Sequence, residues 1–425
     1  MIKKIQIMKR IKSHPLIDVL INLKGNPRAC VYIEPLWGIP FNLIAPFVTV
    51  YMSALGITDV QIGLIASIGM IVQLVFSFLG GTIADKTGRK RTTMFGDMFG
   101  WCFACLVWAV SQNFWFFLIA TILNAFEQIN QTAWTCLLIE DADKSQIVSI
   151  YTWITIAGLM AVFFAPISGT LIGRFTLIPV MRVLYLSFSI TMVIKTVITY
   201  KYTTETKQGY IRMEETKNTS FWKLIAGYKD LIPKIFRNKK TMQTLVVMTV
   251  LYVTNLSSNN FFGLYATDSL GLPEGNLAYF PIFRAIVMIV FLFIIQHKIK
   301  GIKIPMQVGF LIYIAAQALL ILSPKNQPVF ILIFTILEAI AYGLVMPRKD
   351  AMVTNNVDSH ERARIVALLT TLMITFSTPF GYITGLIASI DRRLVFALNI
   401  FFFLLAAITI GVMKEKPAEE AKQEV

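Results

Sequence analysis

The chain has 425 residues, 56% of them hydrophobic and 15% charged, with a mean hydropathy of +0.66. Soluble domains run at about 45–50% apolar and about 25% charged, which excludes an ordinary water-soluble enzyme, and 32 Phe with 18 Met exclude a disordered chain. The net charge of +15 does not point to nucleic acid, because the basic residues stand in short clusters between long apolar runs, as in a chain that crosses a membrane many times.

In chain order, residues 1–30 are basic and include the apolar stretch Pro15–Leu23. Asp18 interrupts that stretch and no A-x-A-like site follows, so it is read as a cytoplasmic arm rather than a signal peptide. A bilayer core of ~30 Å needs about 20 apolar residues per helix. Twelve stretches meet that need: 31–54, 59–83, 93–110, 114–138, 147–173, 179–200, 242–267, 277–296, 304–322, 328–347, 364–388 and 393–413. Hydrocarbon offers the backbone no water to bond, so they are expected to be helices. Between the sixth and seventh lies the loop 201–241, whose Phe221, Leu224, Ile225, Tyr228, Leu231, Ile232 and Ile235 recur at helical spacing among lysines. That pattern predicts a helix lying on the membrane surface. Residues 414–425 form a charged tail, expected to be disordered.

Lys and Arg test the count of spans. The arm carries seven, the loop 84–92 four and the loop 201–241 ten, whereas the loops on the opposite side hold only Arg174, Arg182, Lys325, Arg392 and Arg393. The asymmetry puts both termini in the cytoplasm, and the cell's inner membrane is the expected location. Tyr51 and Leu55-Gly56 recur as Tyr265 and Leu270-Gly271, Thr121–Ala125 as Thr335–Ala339, and Ile147-Val148 as Ile365-Val366, always about half the chain apart. The fold expected is therefore all-α, with twelve transmembrane helices in two pseudo-symmetric six-helix bundles, 31–200 and 242–413. In such a plan a substrate site lies where the halves meet.

One motif is strong: Gly81-Thr82-Ile83-Ala84-Asp85-Lys86-Thr87-Gly88-Arg89-Lys90-Arg91. Gly81 would let a neighbouring helix approach closely. Gly88 suits a tight turn with positive φ, and Asp85 can accept charge-assisted bonds from Arg89. The stretch resembles the loop signature G-x-L-a-D-r-x-G-r-k of the major facilitator superfamily, departing at Ile83 and Lys86. The resemblance implies a secondary transporter in which Asp85, Arg89 and Lys90, with Gly81 and Gly88, form a conformational latch. A plain topology-fixing loop is the alternative. No G-x-x-x-x-G-K-[ST] loop occurs, which disfavours an ATP-driven pump.

Charges inside a bilayer cost at least ~2.5–3.5 kcal/mol each and normally face a cavity or a partner. Glu127 and Glu338 occupy equivalent fourth and tenth spans. Asn124, Gln128, Gln131 and Trp134 share a face with Glu127 at steps of three, four and seven. Asn255 and Asn259 in the seventh span, Arg284 in the eighth and Glu34 in the first complete the candidates. Each has two readings: a proton carrier or substrate contact, or interhelical glue, with Arg284 pairing Glu338 or Glu127. Asp97 is read as structural. Cys102 and Cys105 lack a second ligand pair and are read as packing, so neither a metal nor a cofactor is expected.

Acids outnumber bases among these candidates, which favours proton-coupled export of a small cationic or lipophilic molecule. Uptake of a neutral polar solute is the alternative, and a non-transporting membrane sensor is the alternative of another class. The partners expected are the substrate, protons and the lipid bilayer, with no nucleic acid. Against proton antiport stand two departures from the family. Residues 117–124 contain no Arg, and Ala165-Pro166-Ile167-Ser168-Gly169 replaces glycines of the family's antiporter motif.

Overall fold

The computed structural model describes residues 15–143, 146–217, 236–299, 301–355 and 362–413. The whole surface-helix stretch 221–235 and the tail 414–425 lie outside them. Among the described residues the chain is helix joined by short turns, with no strand.

Eight helical runs are long and apolar enough to cross a bilayer: Gly25–Ala54, Asp59–Thr87, Ser149–Phe175, Leu177–Tyr202, Lys303–Ile321, Pro328–Val353, Leu368–Ile390 and Arg393–Gly411. The other four expected stretches are also helical, each with a local departure. Residues 89–109 open on three basic side chains and pass through a π-helical turn, Met98–Phe103. Residues 114–139 break into Phe114–Asn124 and Glu127–Ile139. Lys239–Leu264 carries several Asn and Thr, and Phe280–Val290 runs into a π-helical end, Phe291–Ile295. The first run starts at Gly25, inside the expected arm, and a separate helix, Pro15–Asn22, precedes it.

Exposure is inverted relative to a soluble protein. On Leu177–Tyr202, Val183, Ile190 and Val197 lie seven residues apart and about 60% exposed, while Lys195 on the same helix is 4% exposed. An apolar outside around a polar interior suits a surface whose solvent is hydrocarbon.

The chain divides into two compact units, Met1–Gly56 with Ile68–Ile225, and Ile57–Ser67 with Ala226–Val425. In the first, Leu23, Cys30, Val31, Leu137, Leu138 and Ile150 form a core that anchors the entry to the first helix. In the second, Val247, Met306, Phe310, Tyr313, Ala341 and Phe403 pack together, with Tyr313 and Phe403 stacked at 4.5 Å.

The start of Asp59–Thr87 belongs to the second unit and packs on Arg362–Ile390 through small residues. A side-chain carbon added to Gly385 would stand 2.7 Å from the Asp59 carbonyl and 3.1 Å from Gly63 Cα. Ser67 Oγ donates to the Thr378 carbonyl at 2.6 Å and accepts from the Tyr382 N–H at 2.8 Å. Such backbone-close seams replace the missing hydrophobic drive between helices in lipid. Arg392 closes the same end by bonding Asp59 at 2.9 Å and Asp268 at 2.6 Å.

Candidate functional site

Within the first unit, Glu34, Trp37, Asp97, Trp101, Glu127, Asn130, Gln131, Trp134 and Lys195 line one cavity of about 140 Å³. Its shape depends on glycine. A carbon on Gly100 would stand 2.9 Å from the Glu127 N–H nitrogen, and one on Gly96 would lie 3.0 Å from Asn130 Cα. The helix Glu127–Ile139 can therefore press directly on the helix carrying Asp97. Asn124 Nδ2 donates to the Gly100 carbonyl at 2.8 Å where the fourth stretch breaks. Across the break, Gln128 and Ile129 bond back three residues rather than four.

The cavity holds three carboxylates and one ammonium. Lys195 Nζ donates to Asp97 Oδ2 at 2.9 Å, and Asn130 Nδ2 donates to Asp97 Oδ1 at 2.7 Å. Among the described residues the side chains of Glu34 and Glu127 have neither a hydrogen bond nor an ion pair. Trp134 Nε1 and Asn130 Oδ1 are buried without a partner. Trp37 meets Trp101 edge-on at 5.7 Å and stacks on Phe41 at 4.9 Å, giving the cavity an aromatic wall.

Of the residues singled out by sequence, Glu34, Glu127, Gln131 and Trp134 share this cavity. Asn124 does not line it, because its amide is spent on Gly100. Glu127 does not sit in the middle of an unbroken helix as expected, but opens the second half of a broken one.

The other candidates lie in the second unit. Arg284 stands 3.6 Å from Glu338 and 5.1 Å from the Tyr342 ring centre, the pairing that the structural alternative anticipated. Asn259 donates to Asn255 at 2.9 Å, both exposed.

At the loop motif Gly88 has φ +89° and Asp85 bonds Arg89 at 3.0 Å. Gly81 corrects the expectation placed on it: a side-chain carbon there would touch nothing within 4 Å, whereas one on Gly80 would lie 3.2 Å from Ile129 Cα. The close approach belongs to Gly80, which faces the neighbouring helix, and Gly81 does not.

Sequence reasoning missed the rest of this cluster. Glu140 bonds Arg89 at 3.2 Å and accepts the Thr206 hydroxyl proton. Glu205 accepts the backbone N–H groups of Arg89 at 2.9 Å and Lys90 at 3.1 Å, capping the helix Arg89–Asp97 with a carboxylate. Lys90 Nζ lies 4.3 Å over the Tyr200 ring. Arg212, on the helix Lys207–Thr216, bonds Asp85 at 2.9 Å, and this bond and charge hold its guanidinium above its ordinary pKa. Asn26 ties the approach with two bonds to the Thr204 backbone, 2.8 and 2.9 Å. The available signal was the clustered charge of 201–217. Lys195 and Asp97 were visible as intramembrane charges, but their pairing was not.

A sequence profile described as Major Facilitator Superfamily matches residues 37–373 and 298–425. The MFS-type transporter YqjV of Bacillus subtilis is 28% identical over 134 residues, 31% of this chain and 32% of YqjV. The multidrug resistance protein MdtG of Salmonella arizonae is 32% identical over 111 residues, 25% of this chain and 27% of MdtG. The aligned part therefore spans about a third or less of these relatives. Among solved structures, a variant of the nucleoside transporter NupG superposes with a TM-score of 0.72 at 15% identity, covering 92% of this chain and all of NupG.

Proposed function

The chain belongs to the major facilitator superfamily, a membrane transporter rather than an enzyme, and from that premise we propose that it exports small organic cations in exchange for protons. One observation carries the reading: Glu34 and Glu127 line a tryptophan-walled cavity, and among the described residues their side chains have no hydrogen-bond or ion-pair partner. A carboxylate withdrawn from water without a partner is costly, and either a proton or a cation relieves the cost. Competition between the two for the same acids is the simplest coupling of opposite fluxes. The aromatic wall suits the apolar body of such a cation and adds cation–π attraction. The multidrug resistance relative supports the export direction.

In this reading 31–200 and 242–413 move against each other to give alternating access, with both termini and the loop motif in the cytoplasm. Asp85, Arg89 and Lys90 form the latch that Gly88 lets turn, and Glu205 and Arg212 brace it.

The test is uptake of a radiolabelled aromatic ammonium ion by proteoliposomes under an imposed pH gradient, relative to protein-free vesicles. Glu127→Gln is expected to lower gradient-driven flux by at least about tenfold. Flux indifferent to the gradient, or unchanged in that variant, overturns the proposal.

A further inference from the structure

We infer that a groove at the start of the helix Lys239–Leu264 binds one phospholipid with a net negative head group. The inference is independent of the export reading, since the groove lies in the second unit and uses none of the acids discussed above.

The groove is a cavity of about 330 Å³ between the first turns of Lys239–Leu264 and the last turns of Arg393–Gly411, which contributes Thr409. That volume is at the small end of ligand sites, roughly 300–1,000 Å³, and admits a head group with the first carbons of its chains. The lining changes character along the chain. Arg237 and Lys239 come first, and Met242, Gln243 and Val246 follow. At about 1.5 Å per residue, Val246 stands roughly 10 Å further along the helix than Lys239.

The cations of the groove are uncompensated. Arg237 and Lys239 are exposed, and among the described residues their side chains have neither an ion pair nor a hydrogen bond. Lys240, adjacent to the lining, is exposed and unpaired in the same sense. The helix start adds the positive end of its peptide dipoles. No Asp or Glu lines the groove, so nothing in it attracts the ammonium of a zwitterionic head group. Among the neutral polar groups, Asn238 is spent on the N–H groups of Lys240 and Thr241, at 3.0 and 3.3 Å. The Thr409 hydroxyl donates to the Leu405 carbonyl at 2.8 Å. The Gln243 amide remains for ester or glycerol oxygens.

A soluble anion would meet the charges and leave the apolar end empty. Met242, Val246 and Phe236, itself 45% exposed, continue the groove toward the hydrocarbon that surrounds the spans. A lipid phosphate at the helix start, with its chains over Met242 and Val246, satisfies both ends at once. Each basic residue beside a membrane segment favours anionic lipid by about fivefold, and the groove gathers that attraction into one site.

Native mass spectrometry of the purified full-length protein in nonionic detergent tests this with dioleoyl phosphatidylglycerol, dioleoyl phosphatidylcholine and glycerol phosphate. The first phosphatidylglycerol is expected to bind at least about tenfold more tightly than phosphatidylcholine, and glycerol phosphate not at all at the same concentrations. Arg237→Gln with Lys239→Gln is expected to abolish that preference. Thr409→Trp fills the groove, keeps both charges, and is expected to weaken phosphatidylglycerol about tenfold. Lys217→Gln with Lys298→Gln removes as much charge elsewhere and is expected to leave binding within about twofold. Equal affinity for the two lipids overturns the inference. So does an equal loss in the distant charge control, or in Thr409→Trp no loss, because either reduces the attraction to a diffuse basic surface. Glycerol phosphate bound as tightly as the lipid makes this a soluble-phosphate site and also overturns it. Melting temperatures certify each fold, and if Thr409→Trp does not fold the two charge variants decide.

Discussion

Replacing Lys195 with Met keeps most of the side-chain volume and removes the charge that faces Asp97. Lys195 is 4% exposed and Asp97 1%, with 2.9 Å between them, so water cannot take over the vacated role. Breaking a buried pair by removing one partner costs about 3–5 kcal/mol, because the remaining charge is left uncompensated. The bond from Asn130 to Asp97 offsets part of that and sets the expectation at the lower end, about 3 kcal/mol. At about 2–4 °C per kcal/mol for a unit of this size, the melting temperature should fall by on the order of 10 °C. Lys195→Met combined with Asp97→Asn removes both charges and keeps an acceptor for Asn130. The double variant is therefore expected to recover to within about 1–2 kcal/mol of wild type, as buried pairs commonly do when both members go. Thermal denaturation in detergent, checked by a denaturant titration in mixed micelles, completes the cycle. A Lys195→Met protein that melts within a few degrees of wild type, or a double variant less stable than the single, would refute the reasoning.

Gly96→Ala drives a methyl into Asn130. The cost expected is about 1–3 kcal/mol from overpacking, more than the roughly 1 kcal/mol that alanine gains as a helix former, and calorimetry should show ammonium binding lost with it. Glu205→Gln halves the acceptors offered to the Arg89 and Lys90 N–H groups. A loss of about 1–2 kcal/mol and faster tryptic cleavage at Lys207 and Arg212 are expected, and unchanged cleavage would exclude a bracing role for Glu205.

Hydropathy is a local property, so the helical stretches could be read from the chain, with ends displaced by at most about eight residues, as at Gly25 and Asn355. What resisted reading depends on neighbours distant in sequence. The break after Asn124 occurs at Ala125-Phe126, which contains no glycine or proline. It is enforced from outside by Gly100 and by the bond from Asn124 to it. Gly80 and Gly81 are indistinguishable as letters, and only the direction of the adjacent helix decides which of them touches it. The duplication misled in one respect. Thr121–Ala125 ends a helix, whereas Thr335–Ala339 runs through the unbroken helix Pro328–Asn355. In that alignment Glu338, which pairs with Arg284, corresponds to Asn124 rather than to Glu127. The Asp97–Lys195 pair spans 98 residues of sequence, a separation at which no spacing rule operates.

Glu205 fits between two glycines: a side-chain carbon on either Gly88 or Gly209 would run into its carboxylate. Gly88 also holds a positive φ that other residues rarely accept. These three positions are consequently a mutational lock. A side chain at either glycine displaces the Glu205 carboxylate from the N–H groups it caps, so the effects of changes at the three positions are coupled.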